Sequence, residues 1–217
     1  MLHRTTSLDH NVLAVLERRA VEQSADYIES AMPKALGLRS REELWQLACR
    51  EASAGGLFLE FGVFSGYSVN FIAKQISSTV YGFDSFQGLR EDWAGGELVR
   101  GSYDLGGRLP KVRRNVVLIK GWFQDTLPAF LREHRGGISF MHLDCDTYEA
   151  TKFVLGACNA GLTDGSIIVF DDYHGARGFK EGQFKAWKEF ISENNSIRYT
   201  YLAFNRRAVL VKVQRDP

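Results

Sequence analysis

After Gly55-Gly56 the chain falls into five short apolar runs, Leu57 to Phe61, Val80 to Phe83, Val116 to Lys120, Ile138 to Leu143 and Ser166 to Phe170. Runs of this kind bury both their faces, and parallel neighbours need a crossover long enough for a helix. The stretches between them meet that need, with helix-like segments at Ser65 to Ile76, Leu127 to His134, Thr147 to Ala160 and Lys180 to Asn194. The pattern predicts an α/β domain whose mostly parallel sheet carries helices on both faces. The chain then changes character. Arg198 to Phe204 and Ala208 to Val213 are β-rich and joined only by Asn205-Arg206-Arg207, which predicts an antiparallel hairpin at one edge of the sheet.

Ahead of the sheet, Asn11 to Met32 carries Leu13, Leu16, Ala20, Tyr27, Ile28 and Ala31 at mixed three and four spacing and is closed by Pro33. A second helix begins at Ser40-Arg41-Glu42-Glu43, whose Ser-x-x-Glu spacing is that of a capping box. We read residues 1–55 as a helical N-terminal extension and 56–217 as the sheet domain. The amphipathic extension can cover its own sheet, make a homo-oligomer contact such as a dimer surface, or close over a ligand. Asp84 to Asn115 separates the second and third strands and holds Gly88, Gly95, Gly96, Gly101, Gly106 and Gly107. A loop of that length in a compact domain is usually functional or mobile, which makes it a lid candidate.

The charge balance excludes some functions. Lys plus Arg number 27 against 26 Asp plus Glu among 217 residues, and no block of like charge occurs, so nucleic acid is not expected as the principal partner. No run approaches the roughly 20 apolar residues that span a bilayer, and Met1 to His10 lacks an apolar signal core. The expectation is a cytoplasmic protein without a membrane partner. Cys49, Cys145 and Cys158 lack the pairing or spacing of a disulfide frame or zinc site and read as small buried residues.

Chemistry-bearing residues gather at predicted strand ends. Glu60-Phe61-Gly62-Val63-Phe64-Ser65-Gly66-Tyr67-Ser68 is a strand, a glycine turn and a helix start, where doubly wound folds bind nucleotide-like cofactors. Phe64 stands where a dinucleotide fingerprint needs its second glycine, and Glu60 adds an acid. A cationic cofactor without phosphate, such as S-adenosylmethionine, suits this turn better; the bland alternative is a tight turn with no ligand. Asp84 follows the second strand, where a carboxylate accepts from ribose hydroxyls or merely caps a turn. Gly121-Trp122-Phe123 follows the third, where aromatics pack on adenine or simply on the core. Asp144-Cys145-Asp146 ends the fourth strand and Asp171-Asp172 the fifth. If those strands are neighbours, four carboxylates converge at the carboxyl edge and must hold protons or a cation, with an all-oxygen set favouring Mg²⁺; otherwise they are two solvated, helix-capping turns.

Taken in order, Leu59-Glu60-Phe61-Gly62-Val63-Phe64-Ser65-Gly66, Tyr81 to Leu89, Lys120 to Pro128, His142-Leu143-Asp144-Cys145-Asp146-Thr147-Tyr148 and Val169-Phe170-Asp171-Asp172-Tyr173 resemble the blocks of the macrocin O-methyltransferase-like class I methyltransferases. These are S-adenosylmethionine-dependent enzymes, several of which methylate sugar hydroxyls in antibiotic biosynthesis. The resemblance implies a seven-stranded Rossmann-like sheet, Mg²⁺ held by Asp144, Asp171 and Asp172, and Asp146 as general base. It further implies cofactor contacts from Glu60, Gly62, Ser65, Gly66, Ser68, Asp84, Ser85, Gly121, Trp122, Phe123 and Asp144. The expected activity is Mg²⁺-dependent methyl transfer to a hydroxyl of a small molecule, a sugar or glycosylated natural product, because a chelating metal needs two oxygens to grip. A catechol acceptor, a catalytically silent cofactor-binding module and, third, a nicotinamide oxidoreductase are the alternatives.

Overall fold

The apolar runs form the centre of one eight-stranded sheet in a computed structural model that describes residues 11–96 and 98–215. In chain order the strands are β1 (Leu36–Gly37), β2 (Leu57–Phe61), β3 (Val80–Asp84), β4 (Val116–Lys120), β5 (Ile138–Leu143), β6 (Leu162–Phe170), β7 (Ile197–Phe204) and β8 (Val209–Arg215). Their spatial order is β1-β7-β8-β6-β5-β2-β3-β4. Only the pairings of β8 with β6 and with β7 are antiparallel, as the hairpin signal requires. The sheet has one strand more than the seven expected. The extra strand, β1, is two residues long and leaves no periodicity to read; it exists only by pairing with β7, Leu36 opposite Ala203 and Gly37 opposite Phe204.

Six α-helices cover the sheet: α1 (Val12–Ala31), α2 (Arg41–Glu51), α3 (Tyr67–Gln75), α4 (Phe123–Glu133), α5 (Tyr148–Cys158) and α6 (Gln183–Glu193). The capping box closes α2 as expected: Ser40 Oγ accepts the Glu43 N–H, and Glu43 reaches back to the Arg39 N–H. Helix α4 starts a turn earlier than its sequence suggests, since Pro128, which invites a start nearby, lies inside the helix. None of the described helices is long and apolar enough to cross a membrane.

Alternation along the buried strands divides the core in two. Leu59, Phe61, Met141, Leu143, Ile168 and Phe170 pack towards α4, α5 and α6, around Leu127, Leu155 and Trp187. Phe58, Phe140, Ile167 and Val169 face α2 and α3, around Trp45, Val69 and Ile72. Glu60 and His142 fall on this second face by the period of two, and they are register partners across β2 and β5. A carboxylate and an imidazole are therefore buried side by side against the indole of Trp45.

Candidate active site

The chain leaves β2 for β3 and β4 on one side, then returns to place β5 on the other, so the crevice at the carboxyl ends of β2 and β5 is the switch point where such sheets bind ligands. There Gly62 turns the chain with φ +92°, and a Cβ on it would lie 1.9 Å from the Asp144 carbonyl oxygen. Only glycine lets the two strand ends come this close. The ladder runs on past the strands, Asp144 N–H to the Phe61 carbonyl at 2.9 Å and Asp171 N–H to the Leu143 carbonyl at 3.0 Å, which lines up the acids that follow.

A cleft of about 1070 Å³ opens along this edge. Of the residues expected to hold a cofactor, Gly62, Ser65, Ser68, Asp84, Ser85, Trp122, Phe123 and Asp144 line it together. Glu60, Gly66 and Gly121 do not. Gly66, at φ +83°, caps α3, and Gly121, at φ +146°, precedes α4, so both shape the wall from behind. Glu60 is turned away by the strand alternation: its Oε1 lies 2.9 Å from His142 Nδ1 and the residue is fully buried. Asp84 does more than sequence spacing foretold. Its Oδ2 accepts the N–H groups of Val63 and Phe64 at 2.8 Å each, and Oδ1 that of Phe86 at 2.7 Å, so it also holds the glycine turn in shape. Trp122 lies beneath the Arg90 guanidinium, 4.7 Å from its ring centre, while Phe123 packs edge-on against Phe61.

Asp144, Asp171 and Asp172 each offer one oxygen to a group whose atoms all lie within 4.8 Å of one another. Asp146, held at φ +58°, adjoins them in the cleft. Burial, and then the charge of neighbouring Asp171, pushes the Asp144 carboxyl well above its ordinary range; burial and Asp144 do the same to Asp146. Asp172 is raised by burial and Asp171. Asp171 is lowered, because His142 and Arg41 outweigh the burial that would raise it. Its Oδ2 lies 3.2 Å from Arg41 Nη1, yet Oδ1 is buried without a hydrogen bond. Of Asp146 and Asp172, Asp146 receives the stronger upward push. Crowded acids with raised values and an orphaned oxygen are the donor set that a hard divalent cation would neutralise.

Beneath the acids, burial disfavours charge on His142, but its contacts with Asp171 and Glu60 prevail and raise it to about 10. In that charged ring Nε2 faces Asp171 Oδ1 at 3.6 Å. The Trp45 indole N–H, 3.2 Å from the same Nε2, can donate to it only when the ring is neutral. A cation on Asp171 would favour that neutral ring.

Several site residues gave no signal in the sequence. Arg41, at the start of α2, and Arg207, in the β7–β8 turn, reach the acids from remote parts of the chain; Arg207 Nη1 lies 3.6 Å from Asp172 Oδ1. Gln183 of α6 is buried and pins both strand ends, donating to the Leu143 carbonyl and accepting from the Asp172 N–H. The glycine-rich segment after β3 has neither helix nor strand among its described residues, apart from a lone bridge between Gln87 and Asp104. It folds against the cleft, with Trp93 buried under Arg207, Arg177 donating to the Gly95 carbonyl, and Tyr103 tilted against Phe64.

A family model described as a methyltransferase domain matches residues 59–173, more than half of the chain. The chain belongs to this family. Solved structures resemble the methyltransferase in fold. CalS11, a calicheamicin methyltransferase, is 20% identical with a TM-score of 0.61, the alignment covering 91% of each chain. The O-methyltransferase NovP is 20% identical with a TM-score of 0.61, over 81% of this chain and 80% of its own. TomG from Streptomyces achromogenes, an O-methyltransferase of tomaymycin synthesis in complex with S-adenosylmethionine, is 16% identical with a TM-score of 0.53, over 92% and 89%. No curated protein sequence matches the chain.

Proposed function

We propose that this methyltransferase moves a methyl group from S-adenosylmethionine to a hydroxyl of a small molecule that carries vicinal oxygens, a sugar or glycosylated natural product, with Mg²⁺ held by Asp144, Asp171 and Asp172. The observation that carries the reading is the convergence of those three carboxylates, within 4.8 Å, beside the glycine turn in one cleft. The neighbours support the choice of oxygen as acceptor: NovP and TomG are O-methyltransferases, and CalS11 is described as a TDP-rhamnose 3'-O-methyltransferase.

The residues fit both groups. Asp84 keeps lone pairs for ribose hydroxyls beyond the three backbone bonds it accepts, and Trp122 and Phe123 offer apolar surface at the adenine end. Asp171 Oδ1, buried without a hydrogen bond, fits a cation. When bound, S-adenosylmethionine supplies an electrophilic methyl, and Mg²⁺ lowers the pKa of a chelated hydroxyl and fixes its lone pair.

The chain does the rest. Asp146, in its carboxylate form, takes the acceptor proton as the hydroxyl attacks the methyl carbon. Gly62 and Asp84 fix the turn that positions the donor. His142 and Gln183 hold the metal acids from below, and Trp93 and Tyr103 narrow the cleft against water. Calorimetric titration of S-adenosylmethionine and S-adenosylhomocysteine, with and without Mg²⁺ and with NAD as control, tests the cofactor; a diol screen then tests transfer. Binding of the first two and not NAD, followed by Mg²⁺-dependent methylation, is expected. Absence of binding would leave a silent relative of the family.

A further inference from the structure

Strand order sets out the cleft as a line. Trp122 follows β4, Asp84 ends β3, the glycine turn follows β2, and the acids follow β5 and β6. Continuing along the same edge come the turn after β7 and the segment after β1, both parallel to β6 and so opening towards the same side. Two arginines stand there. Gly37 stands opposite Phe204 and the Leu38 N–H bonds to the Phe204 carbonyl, so Arg39 and Arg206 each follow a paired strand end by two residues. Both line the cleft and both are exposed.

These two guanidiniums differ from their neighbours in sequence. Arg41 is occupied by Asp171, and Arg207 by Asp172. Among the described residues no acid, ring or carbonyl engages the side chain of Arg39 or Arg206. Of the acids nearest Arg39 in sequence, Glu42 accepts from the Tyr67 hydroxyl and Glu43 uses its carboxylate on the Arg39 backbone N–H. The cleft's remaining acids, Glu91 and Glu149, stand on the segment after β3 and on α5. Two planar forks on one cleft offer several N–H donors and two positive charges, which match a dianionic phosphate or a diphosphate better than a single carboxylate. The β7–β8 turn lies against the residues that follow β6, the Arg207 carbonyl accepting the N–H groups of Tyr173 and His174. A phosphate held there would stand beside the acids, within reach of the molecule whose hydroxyls they face.

Resting on the methyl-transfer reading, we propose that the acceptor is an anion: a phosphate or diphosphate ester of a hydroxylated small molecule, its phosphate held by Arg39 and Arg206 while its hydroxyls face Asp144, Asp171 and Asp172. A neutral glycoside would leave both arginines to solvent.

The test is calorimetry on the full chain with S-adenosylhomocysteine and Mg²⁺ present, using glucose 1-phosphate, UDP-glucose and methyl α-glucoside as probes. The phosphorylated probes are expected to bind at least about tenfold more tightly than the glucoside. An Arg39→Ala/Arg206→Ala variant should lose that margin while keeping its affinity for S-adenosylhomocysteine. It also separates arginine capture from direct metal capture of phosphate, which the variant would retain. UDP-glucose alone showing the margin identifies a diphosphate ester, and both showing it a sugar phosphate. A glucoside that binds equally well, phosphorylated probes that do not bind, or a margin that survives in the variant overturns the proposal. Failure of the wild-type protein to bind S-adenosylhomocysteine would instead overturn the methyl-transfer reading beneath it.

Discussion

Asp84 Oδ2 lies 2.8 Å from the backbone nitrogen of Phe64, a non-glycine residue held at φ +47°. This carboxylate, which lines the cleft, therefore also holds the adjoining turn in a costly backbone conformation. Replacing it by alanine leaves the N–H groups of Val63, Phe64 and Phe86 without their acceptor. Asp84→Ala should lose about 2 kcal/mol of stability in urea unfolding, since part of the loss is made good by water. Its affinity for S-adenosylhomocysteine should fall by more than that stability loss alone explains. An unchanged titration would remove Asp84 from the cofactor site.

The buried Glu60–His142 pair makes a second expectation. With His142 removed, Glu60 remains fully buried without its cation. His142→Ala should therefore cost about 3–5 kcal/mol in chemical denaturation. The double variant Glu60→Gln/His142→Gln should recover part of that loss, because no unpaired charge is left behind. Additive losses would show that the pair is not coupled.

The acid cluster is expected to trade stability for metal. Burial and mutual repulsion raise Asp144, so its charged form opposes folding when no cation is present. Asp144→Asn should melt no lower than the wild type in chelator. Mg²⁺ should raise the melting temperature of the wild type and leave that of the variant unmoved. A variant that still responds to Mg²⁺ would take Asp144 out of the ligand set.

Gly62→Ala tests the close approach of β2 to β5. A methyl there meets the Asp144 carbonyl oxygen and demands a positive φ. The expected cost is roughly 3 kcal/mol or more, read from denaturant midpoints.

Burial pushes the thiols of Cys49 and Cys158 up to about 12. At pH 8 about one in ten thousand of each is thiolate, so neither should react with a disulfide reagent until the protein unfolds. The sign follows from linkage: these thiols are raised in the fold, so their contribution is full below the unfolded value of about 8.5 and is lost as pH climbs towards 12. Alkaline unfolding should therefore begin earlier than in a Cys49→Ala/Cys158→Ala variant.

Much of the fold was legible because buried parallel strands are written in contiguous residues. Leu57–Phe61, Val116–Lys120 and Ile138–Leu143 coincide with their apolar runs, each ended by glycine or acid. The apolar run from Ser166 marks only part of β6, since Thr163-Asp164-Gly165 lacks apolar character and the strand reaches back to Leu162 across a break in register with β5. Strand β1 left no trace at all. The clustered acids after β5 and β6 could be found because strand ends announce themselves. Arg41, Arg207 and Gln183 could not, because each matters only through a strand end more than ten residues away in sequence, and nothing local marks it. Glu60 misled for a related reason: the side to which a strand residue points depends on which neighbour it pairs with, here His142.

The family match ends where the recipient's side of the cleft begins. Residues 59–173 contain the glycine turn, Asp84, Trp122 and all four acids, whereas Arg39, Arg41, Arg206 and Arg207 fall outside them, on a helix start and a hairpin turn at the opposite end of the sheet. On the proposed reading, the arginines that would grip the acceptor's phosphate and the turn that would hold the donor lie on separable pieces of chain. Exchange of a few exposed positions in two short segments would then change which molecule is held and leave residues 59–173 as they stand.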